Sequence, residues 1–153
     1  MSEPDQSQEL RRFIGAPAAD FVLHREPMLL LDTLVDIGAD FAHCAWTPGD
    51  SPFEDGQAGI PMYVGIETMA QCIAVHAGAR AKLRGEGPPL GFLLGTRHFR
   101  CSVPHFEPGQ RYVAECQELV RDTQGMGSFA CRIQLDGEDI ASANLAVLEQ
   151  HQT

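Results

Sequence analysis

One segment, residues 61–84, is apolar on nearly every side of a helix, and it constrains the fold more than any other part of the chain. Pro61 stands at its start, where the first turn of a helix tolerates proline, and Gly85 follows its end. A helix that is apolar all round is a buried one. The remaining residues must therefore form a shell around a single helix of about 34 Å.

The segments on either side of this helix have the pattern of β-strands. Two precede it and four follow it, and Asp136-Gly137 marks a hairpin turn between the last two. Strands do not alternate with helices, so the order predicts an α+β domain with one curved antiparallel sheet wrapped around a single long central helix. The six predicted strands lie within residues 28–38, 40–48, 90–103, 111–122, 128–135 and 140–150.

The length of 153 residues fits one domain. We expect a flexible N-terminal leader over residues 1–17 and the folded domain over residues 18–150. No apolar run has the roughly 20 residues that a membrane span needs, and the polar N-terminus lacks the pattern of a secretory signal. Five scattered cysteines are typical of reduced thiols, so we expect a cytoplasmic protein. His43 and His76 have no evident partner and are interpreted as surface or packing histidines.

The net charge of −10 argues against binding to nucleic acid. Six basic and only two acidic residues lie between positions 80 and 111, which makes that window +4 and the rest of the chain −14. Such a window would attract an acidic partner, although a basic cluster also complements the C-terminus of a helix. The residues that we assign to partner binding are Arg80, Lys82, Arg84, Arg97 and Arg100.

A carboxylate interrupts the apolar helix at Glu67. Burying a charge is costly unless the charge is paired, so this glutamate either faces solvent or serves a chemical purpose. Gln71 follows one helical turn later and can hydrogen-bond to the carboxylate. Glu67 and Gln71 together predict a small polar stripe on an otherwise apolar helix.

Three stretches in sequence order resemble the β-hydroxyacyl-[acyl carrier protein] dehydratases, which have the hot-dog fold. "IPMYVGIETMAQ" (60–71) is similar to the family's central-helix pattern P-G-V-x-x-x-E-x-M-A-Q. "LHREPMLLLD" (23–32) and "GFLLGTRHFRCSVPHFEPGQ" (91–110) are similar to its opening and to its later A-R-F-R-x-P-V-x-P-G-D segment. The resemblance implies a hot-dog enzyme that dehydrates 3-hydroxyacyl thioesters in fatty-acid or polyketide-type lipid synthesis.

The chain departs from this family at the position of its catalytic histidine. That histidine belongs to a G-H-F-P loop fourteen residues before the helix glutamate, where this chain has Phe53; the family's glycine after the helix proline is Met62. The chain therefore looks like a divergent branch, similar to the dehydratase-like proteins of aryl-polyene pathways. In that branch the histidine of the opening motif, His24 here, is the remaining catalytic candidate.

The resemblance implies a mechanism without a metal or redox cofactor. His24 would be the base and Glu67 the acid, if the loop of His24 folds over the helix from the same chain or from a second subunit. Alternatively, His24 holds its loop by hydrogen bonds. We expect the substrate to lie against Gln71, Phe53 and the backbone N–H groups of Met62 and Tyr63.

Three functions remain open at this point. The chain is predicted to be a dehydratase acting on thioesters of acyl carrier protein or coenzyme A. Alternatively, it is a hot-dog acyl thioesterase, in which a helix carboxylate activates water, or a non-catalytic dehydratase-like subunit. A homodimer, or a heterodimer with a second hot-dog protein, is expected in each case.

Overall fold

The computed structural model describes residues 3–49 and 59–150, and one long helix and one large sheet dominate them. Short 3-10 turns cover Arg11–Phe13, Ala18–Asp20 and Met62–Val64. The helices are α1 (Glu3–Leu10) and α2 (Gly65–Leu83). The strands are β1 (Thr33–Gly38), β2 (Phe41–Trp46), β3 (Ile60–Pro61), β4 (Leu90–Cys101), β5 (His105–Phe106), β6 (Tyr112–Arg121), β7 (Met126–Leu135) and β8 (Glu138–Gln150).

The large sheet has six antiparallel strands in the order β1-β2-β6-β7-β8-β4. The Asp136-Gly137 hairpin joins β7 to β8, with both residues at positive φ. The order of strands and helix agrees with the sequence prediction, and β3 and β5 add a second sheet of two short strands. The α+β class and the hot-dog fold, an antiparallel sheet around one long helix, are confirmed.

The long helix begins later than the sequence pattern indicates. Pro61 is extended and pairs with His105, and the N–H of Met62 donates to the carbonyl of Pro104 at 2.8 Å. A 3-10 turn over Met62–Val64 then leads into α2 at Gly65. Because the β3–β5 pairing holds Pro61 in an extended conformation, α2 has 19 residues, fewer than the predicted segment.

Helix α2 packs closely against the sheet and against the chain before β1. Gly78 allows the nearest approach, since a Cβ atom there would lie 1.7 Å from the carbonyl oxygen of Phe21. Helix α1 contacts β1 and α2, and Leu10 at its end is fully buried. Part of the expected leader therefore packs on the domain, while the boundary at residue 17 stays a prediction.

Four of the five cysteines lie in the core between α2 and the sheet. Cys72 faces the sheet from the helix, and its Sγ lies 3.3 Å from the carbonyl oxygen of Ala42. All five thiols are free, and the fifth, Cys101, is exposed at the end of β4. The buried cysteines are Cys44, Cys72, Cys116 and Cys131.

Candidate active site

Glu67 lies in the first turn of α2 and faces a cavity rather than the interior of the sheet. Its side chain is 38% exposed, so the carboxylate is not the buried charge that the apolar pattern indicated. The carboxylate is therefore accessible to a small molecule.

Gln71 lies one turn after Glu67 and is fully buried. Its Nε2 donates to Glu67 Oε1 at 3.0 Å and to the carbonyl oxygen of Met28 at 2.8 Å. Its Oε1 accepts from the N–H of Leu30 at 2.8 Å. The predicted contact between Glu67 and Gln71 is present, and the same amide binds the backbone of a loop more than 40 residues earlier in the sequence.

That loop carries His24 to the candidate site within a single chain. His24 Nε2 lies 3.7 Å from Glu67 Oε1, which is longer than a hydrogen bond, and 37% of the His24 side chain is exposed. Its Nδ1 is buried and has no hydrogen-bond partner among the described residues. Arg25 holds the adjacent backbone by donating to the carbonyls of His24 and Val22.

The histidine and the glutamate line one cavity of about 360 Å³. Its wall on α2 continues from Glu67 over Ala70 and Ala74 to Ala77, a distance of about 15 Å along the helix. Apolar residues of β4 and β8 form the opposite side. A polar pair with an elongated apolar extension suits a ligand that has a reactive polar end and a hydrocarbon chain.

The remaining residues assigned to the substrate have different positions. Met62 cannot offer a free backbone N–H, because that group donates to Pro104. Tyr63 is on the 3-10 turn before α2, and its side chain is 67% exposed. Phe53 lies outside the described residues. Of the two backbone N–H groups that were expected to polarise a thioester carbonyl, that of Met62 is therefore already used within the chain.

The five basic residues assigned to partner binding divide into two groups. Lys82 lies over the rings of Phe13 and Phe21, with its Nζ 5.8 and 5.4 Å from the ring centroids. Arg80 is half-buried, its Nε has no hydrogen-bond partner among the described residues, and burial lowers the pKa of its guanidinium. Arg84 pairs with Glu86 at 3.4 Å. Lys82 and Arg84 therefore contact other residues of the chain, and Arg80 is partly enclosed by it.

The second group, Arg97 and Arg100, lies exposed on β4. Arg97 pairs in register with Asn144 and Arg100 with Ser142, so an extra residue of β4 is accommodated between them. His98 has a φ of 57° in this bulge. Since bulges reorient side chains, two arginines three residues apart can lie on one face of the strand.

A second histidine–carboxylate pair lies on the outer face of the sheet, away from α2. Glu115 is only 7% exposed and accepts two hydrogen bonds from Arg132, each of 3.0 Å. His43 Nε2 lies 3.1 Å from the same carboxylate. The three residues are cross-strand neighbours on β2, β6 and β7. Their spacing in the sequence gives no sign of this cluster, because only the strand register brings them together.

Among the described residues, no helix has the length and hydropathy needed to cross a membrane.

A protein-family model described as ApeP-like, ApeP dehydratase, matches residues 16–153.

The chain is also similar to named proteins and to solved structures. It is 31% identical to a chain of the dehydratase heterocomplex ApeI:P from Xenorhabdus doucetiae, with a TM-score of 0.83, over 89% of this chain and 92% of that one. It is 26% identical to a 3-hydroxyacyl-[acyl-carrier-protein] dehydratase FabZ from Shewanella woodyi, over 95% of this chain and 94% of the relative. It is 27% identical to the FabZ of Thiobacillus denitrificans, over 82% of this chain and 89% of that relative.

Proposed function

The chain belongs to the ApeP-like dehydratase family, and from that membership we propose that it converts 3-hydroxyacyl thioesters of acyl carrier protein to trans-2-enoyl thioesters. We assign the reaction to His24 and Glu67 on one observation, the 3.7 Å separation between His24 Nε2 and Glu67 Oε1 at one end of an apolar cavity. Similarity to the two FabZ proteins, whose names state this activity, supports the substrate class.

The reaction removes one proton from the α-carbon and the hydroxyl group from the β-carbon. In our proposal the neutral imidazole of His24 takes the α-proton, and the electron pair of the broken C–H bond forms the double bond. The C–O bond breaks as the protonated carboxyl of Glu67 donates to the departing hydroxyl, which leaves as water. The histidine ends with one proton more and the glutamate with one fewer, so a proton transfer between these neighbours restores both groups.

The acyl chain in this proposal lies along Ala70, Ala74 and Ala77. These side chains give α2 a smooth apolar wall beyond Glu67, so a hydrocarbon chain buries its surface there without meeting a charge on the helix. The thioester and its carrier remain at the open end beside His24 and Glu67. This direction keeps the reacting carbons next to the two polar groups.

One assay distinguishes the three functions considered for the chain. Purified protein is incubated with 3-hydroxyacyl carrier-protein thioesters, and the products are read by mass spectrometry. Loss of water indicates the dehydratase, release of the free acid indicates a thioesterase, and no turnover by the purified chain indicates a non-catalytic subunit.

Two substitutions test the residue roles. Glu67→Gln and His24→Ala should each lower kcat at least about 100-fold, because each removes an acid or base group that touches the reacting atoms. Glu138→Gln and His43→Ala, which change residues that do not line this cavity, are the matched controls. A wild-type rate in His24→Ala would remove His24 from the mechanism.

We also propose that carrier protein docks at Arg97 and Arg100. Their exposure on the β4 bulge supports this, whereas Arg80 is half-buried, Lys82 lies over two aromatic rings and Arg84 pairs with Glu86. The double variant Arg97→Glu/Arg100→Glu should raise KM for a carrier-protein thioester about tenfold but leave KM for the matching pantetheine thioester unchanged. Equal effects on both substrates would contradict the assignment. The double variant Arg11→Glu/Arg12→Glu is the control for the change in net charge.

A second hot-dog chain, identical or different, is proposed to pair with β4. The strand has no neighbour on its outer side among the described strands, and four of its apolar side chains are 40–50% exposed. Such an edge is prone to further pairing, and a second chain there would also cover the half-open cavity. Leu94→Glu should dissociate the dimer in light scattering, whereas Val120→Glu, at an exposed apolar position away from that edge, should not. The four exposed side chains are Leu90, Phe92, Leu93 and Leu94.

A further inference from the structure

The side-chain amide of Gln71 connects the two candidate catalytic residues. It is fully buried, and both of its N–H groups are used, one by the carbonyl of Met28 and one by Glu67 Oε1. The backbone partners determine the orientation of the amide, since the N–H of Leu30 can only donate and the carbonyl of Met28 can only accept. Gln71 therefore has no donor left for a substrate.

The same amide also holds the loop that carries His24. Among the described residues, both hydrogen bonds between the backbone of this loop and α2 come from Gln71. His24 lies four residues before Met28, so movement of that backbone away from the helix would carry the imidazole away from Glu67. One side chain thus influences both members of the pair.

The contacts of the Glu67 carboxyl group distinguish its two oxygens. Oε1 accepts from Gln71 and is the oxygen nearer to His24 Nε2. An oxygen that accepts an amide N–H keeps its lone pairs directed at that donor, so the acid proton is favoured on the other oxygen, Oε2. We propose that Gln71 is a positioning residue of the dehydration, which directs the proton of Glu67 to Oε2 and keeps the His24 loop in place; this rests on the proposed function above.

The variant Gln71→Glu tests this proposal because it preserves the shape of the side chain. When ionised, the new carboxylate cannot donate and repels Glu67. Burial raises the pKa of a carboxyl group, so the new side chain should gain a proton as the pH falls and recover one donor. We expect kcat about 100-fold below wild type at about pH 8, a ratio to wild type that recovers at least fivefold by about pH 6, and a KM changed less than twofold.

A merely structural role would give a different result. In that case activity would follow only the folded fraction, which itself recovers as the buried carboxyl gains a proton, and kcat divided by the folded fraction from circular dichroism would equal the wild-type value at both about pH 8 and pH 6. Either that result or a wild-type kcat would overturn the proposal. The control Gln124→Glu, in an exposed turn, accounts for the added negative charge.

A second measurement needs neither turnover nor a folded Gln71 variant. In ¹⁵N-labelled protein, the side-chain N–H signals of Gln71 should exchange slowly, and Glu67→Ala should move one of the two while the amide of Leu30 stays protected. Unchanged Gln71 signals in Glu67→Ala would refute the contact on which the proposal depends. If wild type fails to dehydrate any thioester but these signals behave as expected, the proposed function fails while the link between loop and carboxyl remains.

Discussion

The pH dependence of stability should reveal one buried imidazole, that of His76. This side chain is fully buried on α2, and its Nε2 lies 3.0 Å from the carbonyl oxygen of Gly38. A carbonyl only accepts, so the network assigns the proton of the neutral ring to Nε2. Nδ1 is buried without a hydrogen-bond partner among the described residues, so a proton added there would put a charge in the core.

The pKa of His76 is lowered from 6.5 to about 4, chiefly by burial and to a smaller extent by the guanidiniums of Arg80 and Arg121, while the Gly38 carbonyl and Glu118 oppose them. Because the pKa of the folded state lies below that of the unfolded state, the unfolded chain binds the proton first as pH falls. The stabilisation from neutral His76 is therefore complete above about pH 6.5 and is lost between that value and about pH 4. For these two pKa values the loss is about 2 kcal/mol at about pH 5, a large part of the 5–15 kcal/mol typical of a domain.

Urea unfolding of wild type and of His76→Gln measures this quantity. The fluorescence of Trp46, the single tryptophan, reports unfolding because that side chain is buried. Glutamine does not titrate and can still donate to the Gly38 carbonyl, so the variant loses stability at neutral pH but lacks the histidine's pH dependence. Protein concentration is held constant, because association would add to the apparent stability.

The difference in unfolding free energy between wild type and His76→Gln should shrink by about 2 kcal/mol between about pH 7 and pH 5. His98→Gln, at an exposed histidine, serves as the control and should follow the wild-type curve. A difference that stays constant over this range would refute the reasoning, since His76 would then take up no additional proton on unfolding.

Three further changes test other parts of the structure. Thiol titration of the native protein should modify Cys101 alone at first, because burial raises the pKa of Cys72 and Cys131 and the other four thiols should react only after unfolding. Gly78→Ala should cost at least about 2 kcal/mol in urea unfolding, since the new Cβ would overlap the Phe21 carbonyl; an unchanged midpoint would contradict this packing. Tyr112→Phe removes the hydroxyl that accepts the N–H of Glu107 at 2.8 Å, and it should cost about 1 kcal/mol without altering the far-ultraviolet circular dichroism.

Local patterns in the sequence were enough to predict the fold class. The apolar helical segment has to be enclosed, and the alternating segments around it supply the six strands of the large sheet. The short β3–β5 pair was not predicted, and the start of α2 was misplaced. That error arose because proline is compatible both with a first helical turn and with an extended residue. The pairing of Pro61 with His105, 44 positions away, decides between these conformations, and no local pattern contains it.

The sequence by itself determined that Glu67 and Gln71 are neighbours, because residues four apart share a helix face whatever surrounds the helix. Only the tertiary structure decided what stands opposite them. The 3.7 Å separation of His24 from Glu67 and the two backbone bonds of Gln71 join segments more than 40 residues apart. The register of the strands likewise brings His43 to Glu115 on the outer face. Periodicity fixes local neighbours, whereas contacts between distant segments depend on how the whole chain closes around α2.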